Sequence, residues 1–258
     1  MKSILDSHVH LDLILRHHPH RLQWLKENSC AVVSWSYFEG VESVAQLEAS
    51  LQAKADCIRT LTAAGLNCHY LAGIHPRSMP PDLKPSQIGP ILEPFIDDPA
   101  CLGIGEIGLE TGDAREREVF VAQLEIGRRL LKRRKRIGVH TPRSDKRRIT
   151  AVILEILDRF PELRPGLVVD HCTVETIGAV LEAGFWAGVT LSPAKTAWPE
   201  MTRIVSIHAD QVDRIMCNTD SGSMFFEDAV RCRHRDDLPE ALREKLFYLN
   251  ASTFFNLN

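Results

Sequence analysis

No apolar run in the 258 residues approaches the roughly 20 that a bilayer crossing needs. The N-terminus has a single Lys, and its short apolar stretch is broken by Asp6, His8, His10 and Asp12, so no secretory leader is expected. Cysteine is odd in number, at seven, and no Cys-x-x-Cys pair occurs. That excludes a disulfide framework and a cysteine zinc site, and predicts reduced thiols in a cytoplasm. A large excess of charge of one sign is lacking too: 31 Lys+Arg against 34 Asp+Glu leave a net -3, which excludes a surface that is basic overall. Aromatics are few, with three Tyr and four Trp, against eleven His. Imidazole titrates near neutrality and is the commonest metal ligand, so the placement of those histidines carries the functional reading.

Short apolar or β-branched runs alternate with amphipathic stretches along the whole chain. The expected strands are Ser3–Ser7, Ala31–Ser36, His69–Ile74, Ala100–Glu106, Arg136–His140, Gly166–His171, Trp186–Ser192 and Asp213–Asp220. Between them lie helical patterns such as Val44, Leu47, Leu51, Ile58 and Leu61. The strand ends are spaced on average about 30 residues apart, the length of one βα unit. Eight such units make a (β/α)8 TIM barrel of about 250 residues, expected here as a single domain over 1–258. A doubly wound open sheet is the rival, but it calls for a Gly-rich turn after the first strand, where this chain has His8-Val9-His10.

A barrel builds its active face from the carboxyl ends of its strands. Read in order, those ends carry His8 and His10, His75, Glu106, His140, His171 and Asp220. Strands two and seven end instead in Ser34-Trp35-Ser36 and Ser192-Pro193. His8 and His10 are two apart on a strand, so they project to one side and can share a metal.

This ordered set resembles the amidohydrolase superfamily and, within it, the TatD family of metal-dependent hydrolases. The likeness covers nearly the whole chain. It rests on Asp6-Ser7-His8-Val9-His10-Leu11-Asp12, Gly73-Ile74-His75-Pro76, Gly105-Glu106-Ile107-Gly108-Leu109, Val139-His140, His171-Cys172 and Thr219-Asp220. The resemblance implies that His8, His10 and Asp220 hold one metal and His140 and His171 a second, with Glu106 bridging. It also implies that His75 lines the substrate site. Two divalent ions (Zn, Mn, Mg, Fe or Ni) would then activate a hydroxide, with Asp220 taking the proton. The chain departs from the family pattern at Asn218, where a Glu is usual, in His140-Thr141-Pro142-Arg143, in Glu110-Thr111-Gly112 and in His171-Cys172-Thr173. It therefore reads as a divergent branch.

Several other features have two readings each. Arg143, Arg77 and Lys195 follow strand ends on the catalytic side and could grip an anion. The segment after His140 reads equally as a helix-capping loop with Ser144 or Asp145 as the cap. Trp35, Tyr37 and Phe38 could stack on a base or an apolar substrate group, or pack against helices. His17, His18 and His20 read as an exposed loop or as part of a lid. The run Lys132-Arg133-Arg134-Lys135-Arg136 ends a helix and belongs at the bottom of the barrel, away from any substrate. Asp6 is expected to point the same way as His8 and His10, one step deeper, with Asn218 also pointing inward and Cys172 and Cys217 in the core. The expected function is a binuclear metal-dependent hydrolase of a small-molecule or nucleic-acid phosphoester, DNase-like, with no membrane partner. Amide or lactone hydrolysis is the alternative, and a non-catalytic metal-binding scaffold is more distant.

Overall fold

The computed structural model describes residues 3–257. Eight parallel strands are hydrogen-bonded in chain order: β1 Ile4–Val9, β2 Cys30–Ser34, β3 Cys68–Leu71, β4 Cys101–Gly108, β5 Arg136–His140, β6 Leu167–Val169, β7 Trp186–Thr190 and β8 Ile215–Asn218. The segment after β8 closes the ring. His10 N donates to Ser221 O at 2.7 Å, Asp220 N donates to His8 O at 2.9 Å, and Val9 bridges Ser221. The helices α1 Leu11–His17, α2 Arg21–Glu27, α3 Val44–Ala63, α4 Ile88–Ile96, α5 Ala114–Leu131 and α6 Lys146–Leu157 precede or separate the middle strands. They are followed by α7 Ile177–Glu182, α8 Trp198–Ile207, α9 Asp228–Arg233, α10 Glu240–Glu244 and α11 Asn250–Phe255. Eight parallel strands wrapped by helices in this order form a (β/α)8 TIM barrel. Among the described residues no helix is long and apolar enough to cross a membrane.

Two apolar layers result. One lies between strands and helices and holds Val32, Tyr70, Ile104, Phe120 and their neighbours. The other fills the barrel itself with Leu5, Val33, Trp35, Leu71, Val168 and Met216, closed at the bottom by Ala251, Phe254 and Phe255 of α11. The basic run lies at that same end, as expected. Lys135 caps the carbonyls of Asp98 and Cys101, Arg133 pairs with Asp97, and Arg136 donates to Phe254 O.

The strands differ from expectation mainly at their ends. Strand β6 stops at Val169 because His171 is left-handed (φ 58°), and β8 stops at Asn218 because Asp220 is too (φ 53°). Asp213 lies in a short 3-10 turn ahead of β8, so that strand begins at Ile215. In β1 the pairing register shifts between Asp6 and Val9, and this overturns the expected direction of Asp6. Leu5 and His8 both face the interior, which strict alternation forbids and a bulge allows. Asp6 is left on the helix side beside Val9, Cys30 and Ala229. There it accepts hydrogen bonds from Thr219 N (3.0 Å) and Thr219 Oγ1 (2.6 Å), tying β1 to the end of β8.

Two glycines make room for what the interior must hold. A Cβ on Gly138 would lie 2.4–2.9 Å from the Trp35 ring, and one on Gly188 would lie 2.0 Å from Asp170 Oδ1. The Trp35 indole fills the space over Gly138, with Nε1 donating to Ser7 O at 2.8 Å. Gly138→Ala should therefore destabilise the chain by roughly 1–3 kcal/mol through overpacking. Gly89→Ala in α4, with nothing within 4 Å of the added methyl, should leave stability unchanged or raise it by up to about 1 kcal/mol. Chemical denaturation of both variants reads the contrast, and equal effects would contradict it.

Candidate metal centre

At the carboxyl end of the barrel Glu106 is 2% exposed and divides its two oxygens between two sets of nitrogens. Oε1 faces His140 Nδ1 at 2.7 Å and His171 Nε2 at 3.2 Å. Oε2 faces His8 Nε2 at 3.5 Å and His10 Nε2 at 3.8 Å. Asp220 closes the second set, with Oδ1 at 3.0 Å from His10 Nε2 and 3.6 Å from His8 Nε2. Strand ends β1, β4, β5, β6 and β8 thus bring all six expected ligand residues to one place.

Each imidazole is held from behind by a group that decides which nitrogen faces the centre. His8 Nδ1 pairs with Asp170 Oδ2 at 2.5 Å, and His10 Nδ1 donates to the Trp35 carbonyl at 3.0 Å. His140 Nε2 pairs with Glu110 Oε2 at 3.0 Å, and His171 Nδ1 with Thr190 Oγ1 at 2.7 Å. The nitrogens left over, Nε2 of His8, His10 and His171 and Nδ1 of His140, point at Glu106 and Asp220 and would present their lone pairs to an ion held there. His8 Nε2 is the telling atom: it is buried and has no hydrogen-bond partner, between two carboxylates. A buried nitrogen in that position fits a cation. His8, His10 and Asp220 can offer one ligand atom each within 4.8 Å of one another. Four imidazoles and two carboxylates are a donor set for Zn, Mn, Fe or Ni.

The electrostatics agree. Burial opposes the charged form of Glu106, yet the surrounding imidazoles hold its carboxyl well below the usual range. Burial likewise opposes the charge on Asp220, and the Lys195 ammonium and His10 outweigh it. His8 would be depressed by burial alone, but Glu106 and the Asp170 hydrogen bond lift it to about 10. Burial and then Lys195 push His171 down to about 4.

The structure corrects two expected substrate contacts. Trp35 does not reach the substrate cavity: it is 1% exposed and stacked flat on His8, centroids 4.1 Å apart at 9°. Its position points it into the barrel, where it supports a ligand ring from below. His75 is fully buried beneath Tyr37 (centroids 5.1 Å) rather than lining the cavity. Its Nδ1 accepts from Arg77 N at 2.9 Å, so a neutral ring carries its proton on Nε2, which faces Glu106 Oε1 at 3.6 Å. Burial keeps His75 well below its ordinary pKa and therefore neutral. Phe38 is also buried, with Ser78 bonded to both its N and its O, so of the three aromatics only Tyr37 lines the cavity.

Over the centre opens a cavity of about 800 Å³, whose walls include Arg77, Arg143, Lys146 and Lys195. Arg143 is exposed, and no hydrogen bond or ion pair engages it among the described residues. Arg77 lies 4.9 Å over the Tyr37 ring and 3.6 Å from Glu110. Lys195 is ion-paired with Asp220. Asp145 occupies the N-cap of α6 but does not cap it, pairing with Arg148 instead. His17 and His20 are exposed, while His18 Nε2 bonds to Ser223 O at 3.0 Å on the cavity's rim loop. Cys172 and Cys217 are buried.

Sequence reasoning missed Asp170, Thr190 and the role of Glu110. Asp170 stands next to the strand-end His171 but supports His8, a pairing that adjacency in the sequence does not reveal.

A TIM barrel with this cluster at its carboxyl face defines a barrel protein with a candidate metal centre at its strand ends. The model of the TatD-related DNase family matches residues 5–245, and the chain belongs to that family. A TatD-like protein from Archaeoglobus fulgidus is 30% identical, with a TM-score of 0.77 over 98% of this chain and 99% of that one. An uncharacterised metal-dependent hydrolase of Methanocaldococcus jannaschii is 25% identical over 162 residues, 62% of this chain and 61% of that protein. A manganese-bound dihydroxybenzoic acid decarboxylase from Polaromonas shares the fold at 14% identity, with a TM-score of 0.64 over 100% and 98% of the two chains.

Asp170→Asn tests the support behind His8. The amide can accept from Asn218 or from His8 with its one oxygen, and it turns a donor toward the other. Metal affinity should fall roughly 10–100-fold with the fold retained, as read by chelator competition and circular dichroism. Unchanged affinity would remove Asp170 from the site.

Proposed function

We propose that the chain hydrolyses an anionic phosphoester, nucleic acid included, at a binuclear metal centre. The observation that carries this reading is the division of Glu106, one oxygen toward His140 and His171 and the other toward His8 and His10. One ion would be held by His8, His10 and Asp220 and the other by His140 and His171, with Glu106 spanning both. When bound, such ions polarise the scissile oxygen and make a water nucleophilic near neutral pH.

The chain's own groups account for the rest. Asp220 is kept ionised beside Lys195 and is the proton acceptor for the attacking water. His75 turns its Nε2 proton toward Glu106 Oε1 and so stabilises the carboxylate from beneath Tyr37. Arg143, free at the rim, and Arg77 bind the substrate's anion, and a guanidinium does so with paired donors. Seven free cysteines, six of them buried, suit a reducing cytoplasm.

The test is metal analysis followed by assay on single-stranded DNA, a simple phosphodiester and a panel of lactones. Phosphodiester turnover should require added metal, vanish with chelator and fall at least about 100-fold in Glu106→Gln. Turnover of lactones alone would overturn the substrate assignment and favour C–O hydrolysis. A protein that binds no ion would overturn the mechanism. Arg143→Ala should raise KM for an anionic substrate several-fold at nearly constant kcat, the signature of uniform binding. An unchanged KM would remove Arg143 from the substrate site.

A further inference from the structure

Behind the two sets of ligands runs a buried chain of hydrogen bonds that joins them without passing through Glu106. His171 Nδ1 meets Thr190 Oγ1 at 2.7 Å, and Thr190 Oγ1 donates to Asn218 Oδ1 at 2.8 Å. Asn218 Nδ2 donates to Asp170 Oδ1 at 2.8 Å, and Asp170 Oδ2 pairs with His8 Nδ1 at 2.5 Å. His8, Asp170, Thr190 and Asn218 are each no more than 1% exposed, and His171 is 5% exposed.

The direction of every bond follows from the donors available. Asp170 presents one oxygen to each neighbour, Oδ1 to Asn218 and Oδ2 to His8, and with an N–H donor on each side it accepts at both. Asn218 must therefore turn its NH2 to Asp170 and its carbonyl to Thr190. The reverse orientation would set an amide oxygen against a carboxylate. Thr190 has one proton, and Asn218 Oδ1 takes it. Its oxygen is then an acceptor toward His171, which must carry a proton on Nδ1 and a lone pair on Nε2. Lys195 Nζ also lies 3.1 Å from His171 Nδ1, but a lone pair on that nitrogen would face the lone pairs of Thr190 at the shorter distance of 2.7 Å, so Nδ1 keeps its proton for Thr190 and the ammonium serves Asp220. At the other end Asp170 accepts from His8 Nδ1 and leaves Nε2 as the orphaned atom facing the carboxylates.

We propose that Asn218 is a positioning residue that sets the tautomers of His8 and His171 together and so couples the two halves of the metal centre. It touches neither substrate nor ion. Its amide accepts from Thr190 with the oxygen and donates to Asp170 with the nitrogen, so it converts a hydroxyl donor at Thr190 into a proton delivered to Asp170. A carboxylate at 218 would keep the first contact and lose the second. The inference rests on the binuclear reading above.

Two variants separate the arms. Thr190→Val keeps the shape and cuts the chain next to His171, while Asn218→Asp keeps the Thr190 contact and cuts it next to Asp170. Both are compared with wild type by side-chain imidazole NMR of the metal-free protein and by stepwise Zn2+ titration against a chelator. In wild type, protected Nδ1–H signals are expected for His8 and His171. In Thr190→Val the His171 signal should be lost and the His8 signal, two links away, should shift. Both Zn2+ steps should weaken, by roughly 10–100-fold at the ion bound by His171 and several-fold at the other. Thr190→Ser should restore both signals and both steps, and it replaces Thr190→Val as the comparison with Asn218→Asp if the valine variant does not fold. A His8 signal and a Zn2+ step at the ion held by His8 that stay unmoved in Thr190→Val and Asn218→Asp would overturn the coupling. A wild-type chain that takes up no Zn2+ would sink the binuclear reading instead, and the NMR comparison would still decide the link between the two rings.

Discussion

Everything at the active face depends on one buried carboxylate. Glu106 is almost fully withdrawn from water, and a charge in that position is tolerated only when it is surrounded by groups that stabilise it. Imidazoles of His8, His10, His75, His140 and His171 supply that surrounding, and all but His75 belong to the candidate donor set. The same requirement then passes outward. An imidazole that turns one nitrogen to Glu106 buries the other, and each rear nitrogen must find a partner of its own. Asp170, Glu110, Thr190, the Trp35 carbonyl and the Arg77 amide are those partners.

This second requirement explains parts of the barrel that otherwise look unrelated. Gly188 has no side chain because Asp170 occupies the space beside it. Gly138 has none because Trp35 lies across it, and Trp35 in turn supports the His8 ring from below and offers its carbonyl to His10. The bulge in β1 moves Asp6 to the helix side and lets His8 reach the interior, while Asp6 anchors Thr219 and with it the turn that carries Asp220. Packing and chemistry therefore share residues here. A substitution in the barrel interior would be felt at the ligands.

The barrel and the convergence of the six candidate ligand residues were legible because both are written in short-range pattern: strand runs about 30 residues apart, with a histidine or carboxylate at the end of most of them. Direction was less legible. Trp35 was expected over the cavity and is found inside the barrel, and Asp6 was expected inward and is found outward. Alternation assigns faces only where no bulge intervenes and cannot tell the inside of a barrel from its rim. His75 was placed at the right strand end, but its cover by Tyr37 comes from a neighbouring loop. Asp170 went unread because its partners His8 and Asn218 are 162 and 48 residues away, and His10 is steered by a backbone carbonyl that residue identity does not reveal.

What the order of residues determined by itself is the fold class and the identity of the candidate donors: four histidines, one glutamate and one aspartate, at five of the eight strand ends of a (β/α)8 barrel. What only the tertiary structure decided is which nitrogen of each ring faces the centre, which oxygen of Glu106 serves which half, and which residues lie a layer below the cavity. Those choices are made by hydrogen-bond partners on other strands. Distances between strands exist only after the barrel closes.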